Sequence, residues 1–151
     1  MDFKIWEMLF SKPLIAALSA MFSAQIFKMF LPLIRGKTID LKKFVSYGDI
    51  PSAHTAFIIS VTVSIGFQDG WKSSMFALAA VVASIIIYDI IKLRRTVELN
   101  MTMTRRLMEA GNIPLEKNIP QFKGHSLIEV IAGGIWGIAC AVLVYCIFPN
   151  S

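Results

Sequence analysis

Four long apolar stretches, separated by two basic polar loops and one tight turn, constrain this chain more than any other feature. They cover residues 13–34, 52–67, 73–91 and 126–148. As a helix, a run of about 20 apolar residues matches the hydrocarbon thickness of a bilayer. Hydrophobic residues make up 56% of the 151 and mean hydropathy is +0.64, well above a water-soluble domain. Inside lipid the backbone must satisfy its own polar groups, so these runs predict helices. The expected fold class is all-α, a polytopic membrane helical bundle of about four transmembrane helices forming one domain over 1–151. The second run is short, about 24 Å by helical rise.

The remaining segments frame these spans. Residues 2–11 mix Phe3, Ile5, Trp6, Leu9 and Phe10 with Asp2, Lys4 and Glu7, predicting an N-terminal interfacial helix. Leu18-Ser19-Ala20 resembles a signal-peptide cleavage site, but apolar character continues to Ile34, so the segment is read as a span. Residues 92–125 begin as a helical extension of the third span, ended by Gly111-Asn112; Pro114 and Pro120 mark a loop after it. Gly133, Gly134 and Gly137 suit close helix packing. Cys140 and Cys146 share no helix face and are read as small buried apolar residues.

Charge predicts orientation. The two long loops, 35–51 and 92–125, hold eleven Lys and Arg; the opposite side holds three. The positive-inside rule therefore puts both loops and the helical extension in the cytoplasm of a plasma or inner membrane protein, with both termini outside. The net charge of +5 points to anionic lipid head groups rather than nucleic acid, since no basic stripe is interleaved with aromatics. Four short spans leave an oligomer open.

Polar residues in apolar runs are the candidate site. Lys28 lies inside the first span, where a charge costs about 2.5–3.5 kcal/mol. It either snorkels to the interface or faces the interior as an anion ligand, with Gln25 one turn earlier and Arg35 seven residues later on nearly the same stripe. Pro51-Ser52-Ala53-His54-Thr55 opens the second span. Pro51 suits a first helical turn, whose N–H groups form an anion site; Ser52 adds a hydroxyl and His54 an imidazole. Asp89 needs a partner, and Lys92 and Lys28 are the candidates. Arg94 and Arg95 are either orientation charges or a phosphate clamp. His125 and Glu129, at i and i+4 on one helix face, let the carboxylate fix the ring tautomer and leave the other nitrogen able to attack. His54 and His125 are the only histidines, and both sit at the same membrane edge.

These motifs, in this order, resemble the type-2 phosphatidic acid phosphatase superfamily, which includes the vanadium-dependent haloperoxidases. The likeness is to its divergent bacterial and plant membrane branch and covers most of residues 20–140. Lys28 and Arg35 match the first motif, with Gly36 in place of its proline. Pro51-Ser52-Ala53-His54 matches the second, with Ala53 for glycine. His125 matches the third, with Glu129 for aspartate and Ile119 where an arginine is expected; Arg94 or Arg95 is the candidate substitute.

The resemblance implies a membrane-embedded lipid phosphate phosphatase, with His125 as nucleophile and a phosphohistidine intermediate. His54 would protonate the leaving alkoxide and then activate water. Glu129 would orient His125, while Lys28, Arg35, Ser52 and one of Arg94 or Arg95 bind the phosphoryl oxygens, supported by Gln25 and Asp89. It implies no metal and no cofactor. The rival reading is a non-catalytic binder of phosphate or anionic lipid, or a small transporter subunit, in which Gln25, Lys28 and Asp89 line a polar cavity.

Overall fold

The computed structural model describes residues 11–34, 36, 50–113 and 126–149, with the side chains of Ile34, Leu93 and Arg94 excepted. The expected interfacial helix at 2–11, Arg35, most of the two loops and His125 lie outside the described residues. Four helices are present among the described residues: α1 (Lys12–Ile34), α2 (Ala53–Asp69), α3 (Ser74–Ala110) and α4 (Leu127–Ile147). The chain is an all-α membrane protein. By length and composition α1, α3 and α4 can each cross a bilayer, while α2, at 17 residues, rises only about 25 Å.

The helix boundaries follow local chemistry. Ser52, Ser73 and Ser126 each cap a helix start with a side-chain oxygen. Gly70 ends α2 at φ +88°, a backbone region that favours glycine. The α3 helix runs on past its apolar part to Ala110, and Gly111 caps it by donating its N–H to the Leu107 carbonyl at 3.0 Å.

Burial is inverted relative to a soluble bundle. The interior stripe of α1 is Ala16, Ala17, Ala20 and Ala24, all fully buried. Its outward stripe is Phe22, Ile26, Phe30 and Leu33, all about half exposed. Lipid tails are as apolar as leucine, so association selects small residues that bring backbones close rather than large ones that escape water. The α2–α4 contact carries this furthest. A Cβ on Gly137 would meet the Ala56 carbonyl oxygen at 2.5 Å, and one on Gly133 would strike the Ser52 carbonyl.

The short α2 is the central element: α1, α3 and α4 all pack against it, and α3 barely touches α4. A few polar bonds pin the packing. Trp136 Nε1 donates to Ser23 Oγ at 2.9 Å, joining α4 to α1. The Tyr145 hydroxyl donates to the Ser64 carbonyl at 2.8 Å, joining α4 to α2. Around Tyr145 lie Phe67, with ring centroids 5.2 Å apart, and the Lys12 ammonium, 5.2 Å above the ring. Trp71 bridges Phe67 to Phe76. This aromatic cluster gathers the start of α1, the end of α2, the start of α3 and the end of α4 at one edge, as interfacial aromatics do. Cys146 is exposed rather than buried, because it belongs to the outward side of α4; Cys140 is half-buried, with Sγ 3.8 Å from Ser23 Oγ.

Candidate functional site

At the opposite edge, the starts of α2 and α4 are bonded to each other. The Ser52 N–H donates to the Glu129 carbonyl at 3.0 Å. This is one helix entrance tied across to the first turn of another, and the absence of side chains at Gly133 and Gly137 permits it. Two positive helix ends are thereby held side by side, each with backbone N–H groups directed out of its first turn.

The α2 entrance is sunk into the bundle. Pro51, Ser52, Ala53 and Thr55 are buried, and within this turn His54 is the exposed residue. The Ser52 oxygen accepts from Thr55 N at 3.4 Å and from Thr55 Oγ1 at 3.0 Å. Thr55 was not among the residues expected from sequence; the signal for it is a cap residue followed three positions later by a second hydroxyl. Burial of this turn sets the anion-attracting end of α2 inside the bundle.

Lys28 belongs to the packed stripe of α1. It is only 3% exposed and stands one turn beyond Ala24, which packs in one cluster with Ala53 and Ala56 of α2. That register brings the Lys28 level to the α2 entrance, about 6 Å along the helix from Ala24. Its position is interior, not snorkelled outward along the lipid face. On the adjoining part of the same helix, Gln25 Oε1 is a buried acceptor with no hydrogen-bond partner, a position that calls for a donor from water or a ligand.

Glu129 is buried at 9% exposure in the first turn of α4. Its Oε2 accepts from the Ser126 N–H at 3.3 Å, and its own N–H donates to Ser126 Oγ at 3.3 Å. This reciprocal pair is a capping box, and its sequence signature, Ser126-x-x-Glu129, was legible but not read. Glu129 therefore has a structural task, closing the cap on Ser126, the residue after His125; the placement of His125 lies outside the described residues, as does that of Arg35.

Lys28, Ser52, His54 and Glu129 thus share one end of the bundle. The α3 candidates are placed differently. Ala83 and Ile90 are the residues α3 buries, whereas Asp89 and Arg95 are exposed, and the Arg94 side chain is outside the described part.

The comparisons with known proteins agree with this architecture. A family described as "Divergent PAP2 family" matches residues 9–140. The chain is 28% identical over 152 residues to an uncharacterized membrane protein, YuiD, of Bacillus subtilis (strain 168), with 91% of this chain and 96% of that protein covered. No solved structure matches.

Proposed function

The chain belongs to the divergent PAP2 family, and from that premise we propose that it is a membrane-embedded phosphatase that hydrolyses a phosphomonoester or pyrophosphate on a lipid. The observation that carries this reading is the Ser52–Glu129 backbone bond, which binds the helix entrances bearing the two histidine motifs into one unit beside the buried Lys28. Anion-binding helix ends and a buried ammonium form a setting that favours a dianionic phosphoryl group.

In the proposed reaction an imidazole nitrogen of His125 attacks phosphorus. The bond from phosphorus to the lipid oxygen breaks, and the His54 imidazolium delivers its proton to the leaving alkoxide. Neutral His54 then takes a proton from water, whose oxygen attacks phosphorus. The P–N bond breaks, releasing inorganic phosphate and regenerating His125. Lys28, Arg35, Ser52 and one of Arg94 or Arg95 carry the charge on the equatorial oxygens. Glu129 orients His125, and Gln25 supports the polar surroundings. One histidine must start neutral and the other protonated, so the rate falls at both low and high pH. With the basic loops in the cytoplasm, the substrate class is a glycerophospholipid intermediate bearing a terminal phosphate.

The test is phosphate release from a panel of lipid phosphates in detergent, with trapping of labelled phosphohistidine at His125. Activity that persists unchanged in both His54→Ala and His125→Ala rules the chemistry out. One observation favours a second reading, a non-catalytic binder of phosphate or anionic lipid: Ser52 and Glu129 both have capping tasks that explain them without chemistry. Lipid phosphate binding without turnover, surviving His125→Ala, would select that reading.

A further inference from the structure

The inward face of α3 continues past the bundle on which it packs. Ala83 and Ile90 are its buried residues, and Ile87 and Ile91 beside them are half-buried. Beyond Ile91 the described side chains of α3 are exposed except at Glu98, Met101, Arg105 and Met108, which are half-buried. Steps of three and four residues join these to Ala83, Ile87 and Ile90 through position 94, the spacing of one helix face. Eleven residues make about three turns, so position 94 stands almost directly above Ala83, and Arg105 above position 94. Position 95 is turned about 100° away, and Arg95 is exposed.

Height along the bundle singles out the same position. The short turn after Gly70 reverses the chain, and the rings of Phe67, Trp71 and Phe76 hold α2 and α3 together there. From that turn, Ser74 to Ile90 and Asp69 back to Ala53 each rise about 24 Å, which sets Ile90 level with the α2 entrance. Position 94 lies about 6 Å further on, on the side to which the first-turn N–H groups of α2 are directed. On α1, Lys28 lies one turn past Ala24, which packs with Ala53. Positions 28 and 94 therefore stand at one height on two helices that both pack on α2. A helix of about 20 residues crosses a hydrocarbon core of about 30 Å, so, counted from Ser74, that height is the level of a lipid head group.

We propose that Arg94 is the arginine that clamps the phosphoryl group, and that Glu98 is the positioning residue that holds its guanidinium there. The assignment rests on the phosphatase reading above and decides between the two arginines that the sequence leaves open. A guanidinium can give one pair of N–H donors to a phosphoryl group and still offer another edge to a carboxylate. Glu98 follows Arg94 by four residues on the same face, the spacing at which carboxylate and guanidinium meet on a helix. Glu109, the other carboxylate of the extension, is exposed. With Lys28 at the same height, a bound phosphoryl group has cationic donors from two helices, and Arg95 is left as an orientation charge.

The test uses the full chain in detergent, with two readouts: phosphate release from a lipid phosphate, and the rise in unfolding midpoint caused by inorganic phosphate. Arg94→Ala should lower kcat/KM about 10²–10³-fold and abolish the phosphate-induced rise, and Arg94→Lys should recover little of either. Arg95→Ala should leave both nearly as they are. Glu98→Gln should raise KM more than it lowers kcat, leave the ligand-free midpoint unchanged, and add nothing in an Arg94→Ala background. Losses at Arg95 equal to or greater than those at Arg94 overturn the clamp. A Glu98→Gln effect that persists undiminished without Arg94 overturns the positioning role. If the wild-type chain releases no phosphate, the phosphatase reading fails by itself, and the midpoint shift still decides Arg94 against Arg95. A wild-type chain with neither turnover nor shift overturns both.

Discussion

At the scale of single residues, Glu129 is the most informative because it has two candidate tasks that substitution can separate. Its carboxylate accepts from Ser126 N and closes the capping box, and by family resemblance it orients His125. Glu129→Gln keeps an acceptor for the Ser126 N–H, so the helix start should lose no more than about 1 kcal/mol. The charge that would steady an imidazolium disappears, and phosphate release should fall about a hundredfold or more. Ser126→Ala should do the reverse, costing about 1 kcal/mol in stability with a smaller effect on turnover. Equal losses of thermal stability and rate in both variants would leave Glu129 as a cap alone. Lys28 is separable in the same way. Lys28→Met fills similar volume and removes an insertion cost of about 2.5–3.5 kcal/mol, so folding should be no worse, while turnover should drop by about 10²–10³-fold; unimpaired turnover would remove Lys28 from the site. The interior position of Lys28 was legible because a charge amid apolar residues must find polar company. The same reasoning applied to Asp89 did not distinguish sides: its run is apolar all round, and the structure exposes it on α3.

At the scale of elements, helix limits were legible because caps and breakers are local. The expected third-span extension ending at Gly111-Asn112 is the observed α3, Ser74–Ala110. Which helix sits at the centre was not legible. That depends on how closely backbones approach, and a glycine in an apolar run looks alike whether it faces lipid or another helix. Gly134 shows the difference: a Cβ there meets nothing within 4 Å, whereas at Gly137 it meets Ala56 and the Ser60 nitrogen. Gly137→Ala should therefore push α4 off α2, costing about 1–3 kcal/mol. The Ser52–Glu129 tie lies about one turn from this contact along α2 and about two along α4, so activity should fall with stability. Gly134→Ala should be nearly silent in both. The check is the thermal unfolding midpoint in detergent alongside phosphate release; indifference at both glycines would mean that the α2–α4 approach is looser than described.

At the scale of the molecule, two chemically different ends face each other across the bundle. One gathers Lys12, Phe67, Trp71, Phe76 and Tyr145; the other joins the helix entrances near Lys28. In the proposed orientation the second end faces the cytoplasm, the side that the positive-inside rule predicts for the two segments rich in Lys and Arg. Sidedness then decides substrate class, because a head group must present its phosphate on the leaflet where the site opens. With native cysteines replaced, Lys72→Cys at the aromatic end should react with a membrane-impermeant maleimide on intact cells. Arg106→Cys on the α3 extension should react only after the cells are opened. The reverse pattern would turn the site outward, and the substrate expected there is a polyprenyl pyrophosphate rather than a glycerophospholipid intermediate. The helix packing and the proposed phosphohistidine chemistry would stand unchanged, because neither depends on which leaflet supplies the phosphate.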